Sequence, residues 1–142
     1  MSDSVPAITG IHHFSPTVTD VEASASWYER VFGAMRLPMT FAHHDKEETG
    51  YAVLLLVPPA GVLIGLHHHE GNEGEPFGEH RTGLDHISFG VAARADLDAW
   101  AAHLDSLDVA HSGVRDIEGM APFSTLVFRD PDDIQLELIH AG

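Results

Sequence analysis

Histidine is the residue type that suggests chemistry first, since 12 of the 142 residues are His and neutral imidazoles bind divalent transition metals. Three are consecutive in the stretch GLHHHEG, at 65–71. His13 lies in IHHFSPTV and His86 in LDHISFGV, and both stretches alternate between polar and apolar residues. A third alternating stretch, IQLELI, carries Glu137. Two imidazoles and one carboxylate would suit a metal site if the fold brings them together.

These stretches belong to an internal repeat. IHHFSPTV (11–18) aligns with LDHISFGV (84–91), so that His13 matches His86 at a shift of 73 residues. VLIGLH (62–67) aligns with IQLELI (134–139), so that Gly65 matches Glu137 at a shift of 72. An alternating strand therefore opens and closes each half of the chain.

Each half also carries one helix between its strands. Asp20 is a suitable N-cap for the first helix and Gly33 a suitable residue after its end. Trp100 belongs to an apolar stripe in RADLDAWAAHLDSL, which predicts the second helix. With two further strands after each helix, we predict an α+β fold of two tandem β-α-β-β-β modules forming a cupped mixed sheet. The expected organisation is a single domain over 1–142, with modules at about 8–70 and 84–141 and a linker at about 71–83.

Strand periodicity predicts where the chemical side chains lie. Alternate residues point to opposite faces of a sheet. His13, His86 and Glu137 all leave their strands on the face away from the helix, as does His67. The apolar positions expected to pack under the helices are Phe14, Val18, Ile64, Leu66, Ile87, Phe89, Val91, Ile134, Leu136 and Leu138. If each sheet curls around the polar face, the three ligand candidates can meet.

Composition excludes several other functions. The net charge is −15, with seven Lys and Arg residues in total, so the chain repels nucleic-acid backbones and anionic membrane surfaces. There are no cysteines, which excludes disulfides, zinc fingers and thiol nucleophiles. The first residues, MSDSVPAITG, do not have the pattern of a signal peptide. We therefore expect a cytoplasmic protein that binds neither nucleic acid nor membranes.

The motifs GIHHFSPTVTD, WYERVFGA, GLDHISFGV and VFRDPDDIQLELI resemble those of the vicinal oxygen chelate superfamily over residues 8–141. This group includes glyoxalase I, extradiol dioxygenases, fosfomycin-resistance enzymes, methylmalonyl-CoA epimerase and bleomycin-binding proteins. The resemblance implies a divalent metal (Fe²⁺, Mn²⁺, Zn²⁺ or Ni²⁺) held by His13, His86 and Glu137. It also implies a small substrate with adjacent oxygens, handled by glyoxalase-like lyase or isomerase chemistry or by dioxygenase-like oxidation.

Some positions depart from the family pattern. The fourth ligand position falls on Gly65, which differs from glyoxalase I and the epimerase. MAPFSTLVFRDP lacks the catalytic Tyr of the dioxygenases, and nothing basic follows Arg129, unlike the fosfomycin transferases. Asp133 replaces the glycine of the usual turn, and Asp tolerates positive φ.

His67 is the first candidate for a general base, and it could instead serve as a substitute fourth ligand. His69, and one of His43 and His44, are weaker candidates for the site, so the histidine triplet is expected to border the metal centre. The alternative function is a metal-free, non-catalytic protein that sequesters an antibiotic or metabolite in the same cup. We also expect a homodimer, because small family members commonly pair their modules, sometimes across chains.

Overall fold

The computed structural model describes residues 4–142. Two helices and two four-stranded mixed sheets make up the fold, and this confirms the predicted α+β class. The helices are α1 (Val21–Phe32) and α2 (Arg94–Ser106). The strands are β1 (His13–Phe14), β2 (Met35–Phe41), β3 (Gly50–Val57), β4 (Val62–His69), β5 (Ile87–Gly90), β6 (Arg115–Ile117), β7 (Phe123–Arg129) and β8 (Gln135–Ala141).

The two modules repeat one topology. The first sheet has the order β1-β4-β3-β2, and the second has the equivalent order β5-β8-β7-β6. In each sheet the opening strand pairs in parallel with the closing strand, and the other neighbours are antiparallel. The internal repeat read from the sequence is therefore also a repeat of strand order and direction.

Local signals in the sequence account for the helix ends. The carboxylate of Asp20 accepts a hydrogen bond from the Ala23 backbone N–H at 3.0 Å, and Gly33 follows α1 with φ of 65°. These are the N-cap and C-terminal glycine expected of such residues. At the start of α2, Asp96 accepts a bond from the Ala93 backbone N–H at 2.9 Å.

One strand is shorter than its sequence pattern predicts. The alternating stretch runs over 11–18, yet β1 covers only His13–Phe14. Pro16 has no N–H to donate, which interrupts the ladder. Pairing with β4 resumes beyond the proline, where Val18 donates to the His67 carbonyl at 3.0 Å.

The two modules share one hydrophobic cluster. Phe32 of α1 lies 5.1 Å from Phe89 of β5 between ring centroids, and Trp27 lies 6.2 Å from Phe128 of β7. The apolar faces predicted for the strands lie in or against this cluster. Since α1 packs on β3 and β4, and α2 on β7 and β8, the opposite sheet faces are left to carry polar and half-exposed side chains.

The segment between the modules has neither helix nor strand, but it is attached to the second module. The Phe77 backbone N–H donates to the Asp132 carbonyl at 2.9 Å, and Glu79 pairs with Arg129 at 2.7 Å. In the described part of the chain, neither helix has the length and apolar character that a bilayer crossing needs.

Candidate metal centre

Neighbouring strands place His86 and Glu137 side by side. Ser88 of β5 is opposite Glu137 of β8 in the parallel ladder, and His86 directly precedes β5. His86 Nε2 lies 3.9 Å from Glu137 Oε1. Ser88 Oγ donates to the same Glu137 oxygen at 2.7 Å. An imidazole nitrogen and a carboxylate oxygen therefore face each other, which is a suitable start for a metal site.

A chain of hydrogen bonds orients the His86 ring. His86 Nδ1 bonds to Asp85 Oδ1 at 2.7 Å. Since a carboxylate oxygen accepts, Nδ1 carries a proton, and in the neutral ring the remaining lone pair is on Nε2, the nitrogen nearest Glu137. Gln135 Nε2 donates to the same Asp85 oxygen at 3.0 Å, and Arg129 donates to Gln135 at 3.1 Å while pairing with Glu79. Such carboxylate–histidine pairs fix the tautomer of metal-ligating histidines.

His13 lies apart from this pair. Its Nδ1 is 2.9 Å from the Nδ1 of His12, and its side chain is exposed. His13 and His86 line the same cavity of about 730 Å³, with apolar walls that include Phe14, Phe89 and Trp100. Among the described residues, His13, His86 and Glu137 do not form a group whose ligand atoms lie within 4.8 Å of one another.

The first module has no side chain at the position equivalent to Glu137. A Cβ added to Gly65 would lie 2.6 Å from Ser15 Oγ. Ser15 is the repeat equivalent of Ser88, whose hydroxyl instead binds Glu137. Gly65 therefore provides no fourth ligand, and the Ser15 hydroxyl occupies the space that a side chain there would need.

Three other histidines do converge, at the C-terminal end of β4. His43, His67 and His69 each offer a ring nitrogen, and these atoms all lie within 4.8 Å of one another. His43 is buried, whereas His67 and His69 are half-buried. Burial, followed by the neighbouring histidines, lowers the pKa of both His67 and His69, which favours their neutral, metal-binding form.

Strand periodicity predicts His67 on the polar face, and His43 and His69 are further candidates for the site. No pattern in the sequence indicates that these three histidines meet. The triplet contributes two members of this group, His67 and His69. His44 is exposed, with 96% of its side-chain surface accessible. Asp85 was missed altogether, although its place directly before His86 in LDHIS was a usable signal.

Comparison with known proteins identifies the fold. The sequence model of the Glyoxalase/Bleomycin resistance protein/Dioxygenase superfamily matches residues 10–138 of this chain. A glyoxylase/bleomycin resistance protein/dioxygenase domain from Frankia sp. EAN1pec is 29% identical, with a TM-score of 0.81, over 96% of this chain and 94% of that one. No sequence among the curated proteins matches the chain.

More distant structures share the fold alone. The fosfomycin resistance protein FosX from Listeria monocytogenes, complexed with Mn(II) and sulfate, is 18% identical with a TM-score of 0.64, over 96% of this chain and 95% of that one. A glyoxalase family protein from Enterococcus faecalis is 19% identical with a TM-score of 0.69, over 93% and 98%.

Proposed function

Because the chain belongs to the Glyoxalase/Bleomycin resistance protein/Dioxygenase superfamily, we propose that it is a metal-dependent enzyme acting on a small substrate with adjacent oxygen atoms. His13, His86 and Glu137 are the proposed ligands. We also propose that residues 1–142 form one domain and that the protein is cytoplasmic. The ion is Fe²⁺, Mn²⁺, Zn²⁺ or Ni²⁺, and Mn(II) is the ion named for the Listeria protein. When bound, it supplies a Lewis acid for substrate oxygens.

The observation that carries this proposal is the Asp85–His86–Glu137 arrangement. His86 is held in the tautomer that ligation requires, and its free nitrogen faces a carboxylate 3.9 Å away. Glu137 is largely buried, with 18% of its side-chain surface accessible. In the described part of the chain, the carboxylate of Glu137 makes no ion pair with Lys or Arg. A divalent cation would supply the missing positive charge.

His67 is the proposed proton acceptor. It lies one pleat beyond Gly65 on the same face of β4, and its lowered pKa keeps it neutral near pH 7. An unprotonated imidazole within reach of a substrate is a suitable general base at that pH.

We further propose that the site is completed in a homodimer. His13 lacks a carboxylate partner among the described residues, whereas His86 and Glu137 lack a third ligand. The face of the first sheet away from α1 also exposes apolar side chains of β2: Met39 and Phe41 are 48% and 44% exposed. A second copy would cover this face and bring His13 of one chain to the His86–Glu137 pair of the other.

Elemental analysis tests the metal ligands. Wild-type protein purified without chelators or added metal should contain about one equivalent of transition metal per chain more than Glu137→Ala purified in the same way. Glu118→Ala, which removes an exposed carboxylate outside the site, is the matched control and should behave as wild type. Equal metal content in wild type and Glu137→Ala, also after reconstitution with each of the four ions, would refute the mechanism. It would leave the metal-free binding protein as the better interpretation.

A mixing experiment tests the shared site. In a mixed dimer of His13→Ala and Glu137→Ala chains, a site shared across chains leaves one of the two sites intact. A site within one chain leaves none intact. Co-expressed mixed dimers should therefore bind about one equivalent of metal per dimer at the Glu137 site, whereas each variant alone binds none at that site. A mixed dimer without that equivalent, or a monomer by light scattering, would contradict the shared site.

A further inference from the structure

We propose that His43, His67 and His69 form a second transition-metal site, separate from the one that contains Glu137. The three side chains come from different parts of the first module: His43 lies beyond the end of β2, and the other two belong to β4. They form the one group of three possible ligands among residues 4–142 whose donor atoms lie within 4.8 Å of one another. Three imidazoles with an open fourth position suit Zn²⁺, Ni²⁺ or Cu²⁺.

Hydrogen bonds already set the tautomer of His43. Its Nε2 lies 2.8 Å from the His68 carbonyl oxygen, which can only accept, so Nε2 carries the proton. The lone pair of His43 Nδ1 is therefore directed at the group, where it meets His67 Nδ1 at 3.0 Å. A backbone carbonyl on the remote ring nitrogen is a common support for a metal-ligating histidine.

The backbone makes room for this ring. Gly50 has φ of 147°, and a Cβ there would lie 2.8 Å from His43 Nε2 and only 2.0 Å from the His68 carbonyl oxygen. Any other residue at this position would displace the ring or the carbonyl that orients it. The glycine therefore permits the buried position of His43, which is 6% exposed.

Binding requires small rearrangements. Two nitrogens about 2.1 Å from a tetrahedral ion lie roughly 3.3 Å apart, so the His43 and His67 nitrogens need to separate by a few tenths of an ångström. The proton on His67 Nδ1 moves to Nε2, with no net loss of protons, so His67 can act as the proposed proton acceptor only while this second site is empty. The His69 ring, stacked on His43 at 3.9 Å between centroids, must turn until its lone pair faces the ion. This turn breaks the stacking on His43 but no hydrogen bond, since the His69 side chain makes none in the described structure.

Zinc titration of chelator-treated protein, followed by equilibrium dialysis, tests the second site. Wild type should bind two equivalents per chain and Glu137→Ala one. His69→Asn in the Glu137→Ala background should bind zinc at least about tenfold more weakly. His44→Asn in that background is the matched control, since His44 is the sequence neighbour of His43 and lies outside the group. It should retain the equivalent.

The outcomes separate this inference from the proposed function. If wild type binds one equivalent of zinc and Glu137→Ala binds none, the second site does not exist and the Glu137 site stands. If wild type and Glu137→Ala each bind one equivalent, which His69→Asn weakens, the second site stands and the proposed catalytic metal does not. Equal zinc binding by the His69→Asn and His44→Asn chains would also overturn the second site. Since His69 is half-exposed, the Asn variant should fold, and circular dichroism checks this.

Discussion

Replacing Asp130 by Asn should remove one contribution to the pH dependence of the free energy of unfolding. Asp130, in the Asp-Pro turn before β8, is 5% exposed. It accepts hydrogen bonds from the Tyr28 hydroxyl and from the backbone N–H groups of Asp132 and Ile134, each at 2.9 Å. Asn keeps the oxygen that accepts the two backbone bonds, and its NH₂ can donate to the tyrosine oxygen, so the variant preserves the contacts and removes the ionisation.

The magnitude follows from the burial of the carboxyl group. Burial raises the pKa of Asp130 from 3.8 to about 6, against the opposing effect of its hydrogen bonds. The folded chain therefore keeps a proton that the unfolded chain has released, and this contribution to stability is present at low pH and lost as pH rises from about 4 to 6. A difference of roughly two pKa units amounts to about 3 kcal/mol. About 2 kcal/mol of it falls between pH 4.5 and 7.5.

Urea unfolding of chelator-treated protein measures this contribution, with the fluorescence of Trp27 and Trp100 as the signal. The free energy of unfolding of Asp130→Asn minus that of wild type should rise by about 2 kcal/mol from pH 4.5 to 7.5. The control is Asp45→Asn, because Asp45 is exposed and its φ of 55° also suits Asn. A difference that stays flat or falls with pH would refute the argument from burial.

Two further predictions concern the metal centre. Asp85→Asn should weaken metal binding at the His86–Glu137 pair by about 10–100-fold in equilibrium dialysis, because it removes the anionic acceptor that orients His86; unchanged affinity would contradict that role. Gly65→Ala should cost about 1 kcal/mol in urea unfolding, because the new Cβ meets Ser15 Oγ at 2.6 Å. In a Ser15→Ala background the nearest contact becomes Leu54 at 3.4 Å and most of the cost should vanish, so strictly additive costs would exclude the clash.

Local rules made much of the fold predictable. The caps of α1 and the alternating strands each depend on a few neighbouring residues, and the repeat is found by comparing the two halves of the sequence. The structure confirms all three. Even the positive φ expected at Asp133 is present, at 69°. These features need no knowledge of distant contacts, which is why one sequence is enough to predict them.

Contacts between distant segments were not predictable in the same way. The histidine group depends on how the chain returns between β2 and β3 and on Gly50, which lets His43 reach the His68 carbonyl. The Asp-Pro turn was recognised as a family motif, yet it also joins the modules through Tyr28–Asp130 and Thr19–Asp132 bonds. No periodicity encodes such pairings, since their partners are more than 100 residues apart.

The two modules differ at equivalent positions, and this difference indicates how they divide the proposed chemistry. Ser88 donates to Glu137 in the second module, whereas Ser15 fills the space beside Gly65 in the first. The second module thus retains two neighbouring ligand candidates, and the first offers one, His13. Neither module holds three of the proposed ligands, so the proposed metal site requires both. Since the three do not meet within the described chain, we propose that unlike modules of two chains pair in a homodimer and together supply all three ligands.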